Sequence, residues 1–237
     1  MARAAILLLL MLLVPGVTGG RQAEPRILFI GNSLTYWNDL PAMVQSLAAA
    51  AKRRITCQMV AFPDVSLEDH WQRGDAVRAI RRGGWSHVVL QQGPSALPES
   101  QKLLREYTRR FDAEIKAVKA TTALYIVWPA RARQQDFAGV SASYAAAARD
   151  VDGLLVPVGD AWQAAWKRDP RLALYSPDGL HPSRAGTYLA ALVIVSRALG
   201  ITPIGLPAEG VEPGTAKLLQ EVAGAVARPP AQSVLAK

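Results

Sequence analysis

Short apolar runs, several rich in β-branched residues, recur at residues 27–30, 55–61, 87–90, 124–128 and 154–158. Each is shorter than an ordinary buried helix, so the pattern predicts buried strands. Between them, apolar positions fall at helical spacing over residues 40–52, 67–82, 101–120 and 141–151. Strands alternating with helices predict one α/β domain with a central parallel sheet covered on both faces, a three-layer α/β/α sandwich. A strong last helix is expected over residues 183–199, with Leu189, Leu192, Val193, Val195 and Leu199 on its apolar face and Gly200 as its stop. Residues 212–227 read as one more helix, followed by a frayed tail at Pro229-Pro230. There is no internal repeat and no linker.

The first twenty residues follow a different pattern. Arg3 precedes an unbroken apolar run over residues 4–14, and Pro15, Gly16 and small residues follow it. This predicts a secretory signal peptide over residues 1–20 and a mature domain over residues 21–237, exported to the periplasm or the cell exterior. An uncleaved N-terminal anchor is the alternative. No later segment reaches the roughly 18 apolar residues of a membrane span. Export permits disulfides, but Cys57 is the only cysteine, so stability must come from the core and Cys57 reads as a buried structural thiol. With 27 basic against 19 acidic residues the formal charge is +8. The basic residues are spread in pairs such as Arg53-Arg54, Arg81-Arg82 and Arg109-Arg110, without interleaved aromatics. They read as solvated helix faces, and nucleic acid is not an expected partner.

In open α/β sheets the ligand crevice lies beyond the carboxyl ends of the strands, so polar residues just after each strand are candidates for chemistry. Such junctions are Gly31-Asn32-Ser33-Leu34-Thr35, Phe62-Pro63-Asp64-Val65-Ser66, Gln91-Gln92-Gly93-Pro94-Ser95 and Pro129-Ala130-Arg131. A further cluster, Ser176-Pro177-Asp178-Gly179-Leu180-His181-Pro182, precedes the last helix. A serine hydroxyl needs a base to become a nucleophile, and an imidazole base works best when a carboxylate fixes its tautomer. Ser33, His181 and Asp178 supply these three roles. Taken singly, each has a plainer reading: Gly31 to Ser33 as a turn leading to a capped helix, and Asp178-Gly179 as an ordinary turn. Their joint placement in the α/β alternation favours catalysis.

The segment from Ile27 to Thr35, with Gly31-Asn32-Ser33-Leu34 after a strand, resembles the first block of the SGNH (GDSL-like) hydrolases, with Asn32 in place of the usual Asp. Residues 176–182 resemble the family's last block, in which Asp and His stand three apart before the final helix. The resemblance runs from the first strand to the last helix. It implies a flavodoxin-like sheet, Ser33 as nucleophile, His181 as base, Asp178 as its orienter, and an acyl-enzyme route to ester hydrolysis without metal or organic cofactor. In the family a Gly after the second strand and an Asn after the third complete the oxyanion hole with the serine's own N–H. Here those positions fall on Asp64 and Ser95, with Gln92 as a rival donor; Gln91 reads as a loop residue bonded to local backbone. The implied substrates are small-molecule or carbohydrate esters with small acyl groups, and acyl transfer to a sugar hydroxyl would use the same residues.

His70 and His87 have no second His or Cys at ligand spacing and read as structural. Arg131 and Arg133 are surface arginines or contacts for an anionic substrate group, and Trp37 is a pocket wall or a packed aromatic. Two rivals stand beside the hydrolase. The Ser33 loop could cradle a phosphate or flavin as in flavodoxin-like folds, or the chain could be a catalytically weak sugar-binding relative, given Asp64 and Ser95.

Overall fold

A computed structural model describes residues 24–227; the expected signal segment lies outside the described residues. The strands are β1 (Arg26–Gly31), β2 (Thr56–Ala61), β3 (His87–Leu90), β4 (Thr121–Tyr125) and β5 (Leu154–Val156), all parallel in the order β2-β1-β3-β4-β5. That is the flavodoxin-like order. Ile27 pairs with Cys57 on one side and His87 on the other, and Ile30 with Val60 and Leu90. β1 therefore lies inside the sheet, and its residues 27–31 are buried.

The helices are α1 (Ser33–Tyr36), α2 (Leu40–Ala50), α3 (Leu67–Arg73), α4 (Asp75–Arg81), α5 (Pro98–Ala117), α6 (Phe137–Asp150), α7 (Val158–Arg168), α8 (Arg184–Leu199) and α9 (Pro213–Val226). By their mutual packing α2, α8 and α9 form one layer and α3 to α6 the other. Every residue from Gly186 to Val195 is buried, because α8 is wedged among α2, α7, α9 and the sheet. Ser183 caps it by accepting from the Gly186 N–H, and Gly200 ends it in the left-handed conformation.

The structure corrects the expected pattern in four places, the first being the strand expected over residues 124–128, which lies over Thr121–Tyr125 instead. The helix expected over residues 67–82 is two helices, broken at Gly74, whose φ of 76° closes α3 and opens α4. β2 is an edge strand rather than a buried one: Thr56, Gln58 and Met59 are exposed, and Cys57 is only half-buried, its thiol pushed up to about 12 chiefly by burial. The run at residues 154–158 stops pairing after Val156, and Val158 opens α7, an amphipathic helix with no counterpart in the expected pattern. Its Gly159 allows contact with the sheet, since a Cβ there would meet the Val127 carbonyl at 2.4 Å. Among the described residues no helix is long and apolar enough to cross a membrane.

Candidate active site

The sheet changes winding direction between β1 and β3, and a crevice opens beyond the carboxyl ends of those two strands. Ser33 stands there as the first residue of α1, with Asn32 as its cap accepting from the Leu34 N–H at 3.1 Å. Ser33 lines a cleft of about 370 Å³ together with Asp64, Gln92, Ser95 and Leu180. Asp64 sits in the left-handed region at φ 55°, a conformation that favours glycine and that Asp tolerates better than most residues. This is the position that carries glycine in the family the sequence resembles.

On the loop before α8, the Asp178 carboxylate accepts the Nδ1–H of His181 at 2.7 Å through Oδ2 and the backbone N–H groups of Leu180 and His181 at 2.9 Å through Oδ1. These bonds, that from Leu180 foremost, hold the carboxyl below its ordinary range, so it stays ionised and keeps the proton on Nδ1. Nε2 is left as the acceptor. The imidazole stacks on Trp37, with centroids 4.0 Å apart and planes 16° apart. Trp37 is thus a partner of His181, and it lies one turn past Ser33. Among the described residues neither the Ser33 hydroxyl nor His181 Nε2 makes a hydrogen bond, so the structure joins Asp178 to His181 but does not link His181 to Ser33.

The two candidate side-chain donors are already engaged. Gln92 Nε2 donates to Ser95 Oγ at 2.7 Å and to the Ser100 carbonyl at 3.3 Å, while its Oε1 accepts from the Leu67 N–H. Ser95 Oγ in turn donates to the Gly93 carbonyl at 3.1 Å. By contrast, the backbone N–H groups of Ser33 and Asp64 bond to no described residue. Tyr144 of α6 holds the same loop: its hydroxyl accepts from the Gln92 N–H at 3.1 Å and donates to the Gln92 carbonyl at 2.6 Å. Nothing in the pattern around Tyr144 signalled this, because the contact joins residues 52 apart in sequence.

The remaining candidates lie around the site. Arg131 packs on the loop that carries Asp178, its N–H donating to the Gly179 carbonyl at 2.7 Å and its guanidinium over the Tyr175 ring. Arg133 is committed to an ion pair with Asp136 at 2.7 Å. His87 lies in β3 beside the Ser86 hydroxyl, away from the crevice.

His70 is fully buried and donates Nε2–H to the Gly31 carbonyl at 2.8 Å, two residues before Ser33, while its Nδ1 has no partner among the described residues. Burial lowers its pKa, so it is neutral in the folded protein and gains a proton more easily when unfolded. Between the depressed folded value and the unfolded value of about 6.5 the unfolded chain binds more protons, and stability falls as pH drops through that window. Burial lowers the pKa of His87 too and adds to the same trend. Thermal midpoints measured from pH 7 to pH 5 should therefore fall less steeply for His70→Gln than for the wild type. Equal slopes would show that His70 contributes nothing to the acid sensitivity.

No protein-family model and no curated protein sequence matches the chain. Solved structures do. A protein from Slackia heliotrinireducens, described as a candidate SGNH hydrolase, is 29% identical, with a TM-score of 0.61 over 73% of this chain and 98% of its own. A DUF4886 family protein from Bacteroides uniformis superposes with a TM-score of 0.72 at 20% identity, covering 85% of this chain and 94% of its own. An acetyl xylan esterase from Geobacillus stearothermophilus has a TM-score of 0.61 at 17% identity, covering 74% of this chain and 94% of its own.

Proposed function

Starting from a chain built on the SGNH-hydrolase fold, we propose that it is an exported serine hydrolase cleaving carboxylic esters through an acyl-enzyme formed on Ser33. The observation that carries this reading is the 2.7 Å hydrogen bond from His181 Nδ1 to Asp178, in a loop whose Leu180 lines the same cleft as Ser33. A phosphate- or flavin-binding loop after β1 would leave that pair without a role. Export rests on the charged and apolar pattern of the first twenty residues.

In this mechanism Ser33 Oγ attacks the ester carbonyl carbon as its proton passes to His181 Nε2, and the imidazolium formed is stabilised by Asp178. Collapse of the tetrahedral intermediate breaks the bond to the alcohol, which leaves with the proton from His181. Water then repeats the two steps on the acyl-enzyme, releasing the acid and restoring Ser33. The missing bond between Ser33 and His181 is consistent with this route, because catalytic hydrogen bonds in ligand-free sites are often unformed and tighten when substrate binds. Leu34, Val65, Pro94 and Leu180 give the cleft apolar walls suited to a short acyl group. The substrate class we infer is an acetyl ester on carbohydrate, and the likeness to the acetyl xylan esterase supports it. A panel of activated esters varied in acyl length and alcohol tests the reading. Turnover should be greatest for short acyl groups, and absence of turnover of every ester by folded protein would refute it.

The oxyanion hole in this reading uses the free N–H groups of Ser33 and Asp64. Both amide hydrogens of Gln92 are spent, so the third donor is Ser95, whose hydroxyl need only turn from the Gly93 carbonyl to the developing oxyanion. Ser95→Ala should lower kcat by roughly 10²–10³ with little change in KM. Gln92→Ala, compared on the same ester, should lose less. Near-wild-type kcat in both variants would mean that backbone alone completes the hole.

A further inference from the structure

Gln91, the first residue after β3, is fully buried, and its carboxamide is saturated. Oε1 accepts from the Asn32 N–H at 2.9 Å and from the Thr35 hydroxyl at 2.8 Å. Nε2 donates to Asn32 Oδ1 at 3.0 Å and to the Gln92 carbonyl at 2.6 Å. That is one bond for each hydrogen and each lone pair an amide side chain offers. Three of the four go to Asn32 and Thr35, which flank Ser33. Asn32 Oδ1 also accepts from the Leu34 N–H, and Asn32 Nδ2 donates to the Val65 carbonyl at 3.1 Å. The fourth bond reaches the loop that carries Ser95.

Gly31 makes this approach possible: a Cβ there would lie 2.4 Å from Gln91 Oε1 and 2.5 Å from Thr35 Oγ1. A Cβ at Gly31 would therefore collide with the amide that grips the turn. The Ser33 side chain makes no hydrogen bond among the described residues, so its location is set by the backbone on either side. Apolar burial does not explain a saturated carboxamide at this depth, because any bond left unmade here would be costly and an apolar side chain would avoid the risk.

We propose that Gln91 is a positioning residue: its amide clamps Asn32 and Thr35 and so aims the hydroxyl and N–H of Ser33 at the acyl carbon and its oxygen. The inference rests on the proposed role of Ser33. Displacing a reacting group by about 1 Å can cost on the order of 100-fold in rate, so a clamp of this kind acts on kcat more than on KM.

The test compares wild type with Gln91→Glu and Gln91→Met, using one activated short-chain ester, the rate of fluorophosphonate labelling at Ser33, and the thermal midpoint. Glu keeps the shape but turns an acceptor toward Asn32 Oδ1 and the Gln92 carbonyl; Met removes every bond. Folded variants should lose roughly 10- to 100-fold in both kcat and labelling rate while KM changes little. Thr35→Val, which takes one donor from Gln91 Oε1, should show a smaller loss of the same kind and keeps the test open if neither Gln91 variant folds. A lowered thermal midpoint with wild-type kcat in the folded variant would overturn the clamp. Failure of the reading beneath it looks different, since the wild type itself would then turn over no ester and take no label at Ser33.

Discussion

Ser33→Ala, purified as folded protein, is expected to lose ester turnover by at least about 10³-fold, and His181→Ala by a similar factor. Alanine at 33 removes the atom that forms the acyl bond. The residual rate would come from binding and from the N–H groups of the oxyanion hole, which the substitution leaves in place. Ser33 is almost buried and its side chain bonds to nothing described, so the substitution removes no structural hydrogen bond and stability should change little. The loss is therefore interpretable as chemistry, with circular dichroism and the thermal midpoint as controls. Because the two residues act as a unit, the double variant should lose no more than the worse single variant. Additive losses would mean that they serve separate steps.

Asp178→Asn carries the second large effect, on the order of 10³- to 10⁴-fold in kcat. Asp178 divides its oxygens: Oδ1 accepts from two backbone N–H groups and Oδ2 accepts from His181. An asparagine keeping its oxygen on the backbone donors must turn its NH₂ toward Nδ1. That nitrogen would then have to accept, which moves the proton to Nε2, the nitrogen that must take the serine proton. The substitution preserves the loop and inverts the tautomer. Steady-state kinetics should therefore show a fall in kcat with KM and the thermal midpoint little changed. Unaltered kcat would mean that Asp178 merely shapes the loop.

The layered fold could be read from the sequence because its strands are apolar runs and its last helix carries both a cap and a glycine stop, all local signals. What escaped the reading depends on tertiary position. β2 carries the same kind of run as β1, yet the sheet order leaves it at an edge with Gln58 and Met59 exposed. Gly74 was a single residue inside an otherwise helical pattern, and its left-handed φ ends one helix and starts another.

At the site, Ser33, Asp178 and His181 stood out because hydroxyl, carboxylate and imidazole occur at strand and helix junctions, where a sequence pattern can place them. Trp37 against His181, Tyr144 against Gln92 and His70 under Gly31 did not stand out, since their partners are distant in sequence. Gln92 illustrates the limit on the chemical side. Its amide matches in type the Asn of the family the sequence resembles, but the structure shows both of its hydrogens already committed to Ser95 and Ser100.

The most direct test of the central claim is intact and peptide mass spectrometry after reaction with a fluorophosphonate, which requires an activated serine beside an oxyanion hole. Wild-type protein should gain one adduct, located on Ser33. The adduct should be absent from Ser33→Ala and greatly slowed in His181→Ala. A folded wild type that takes no adduct, or takes it on another serine while Ser33 stays unmodified, would contradict the account.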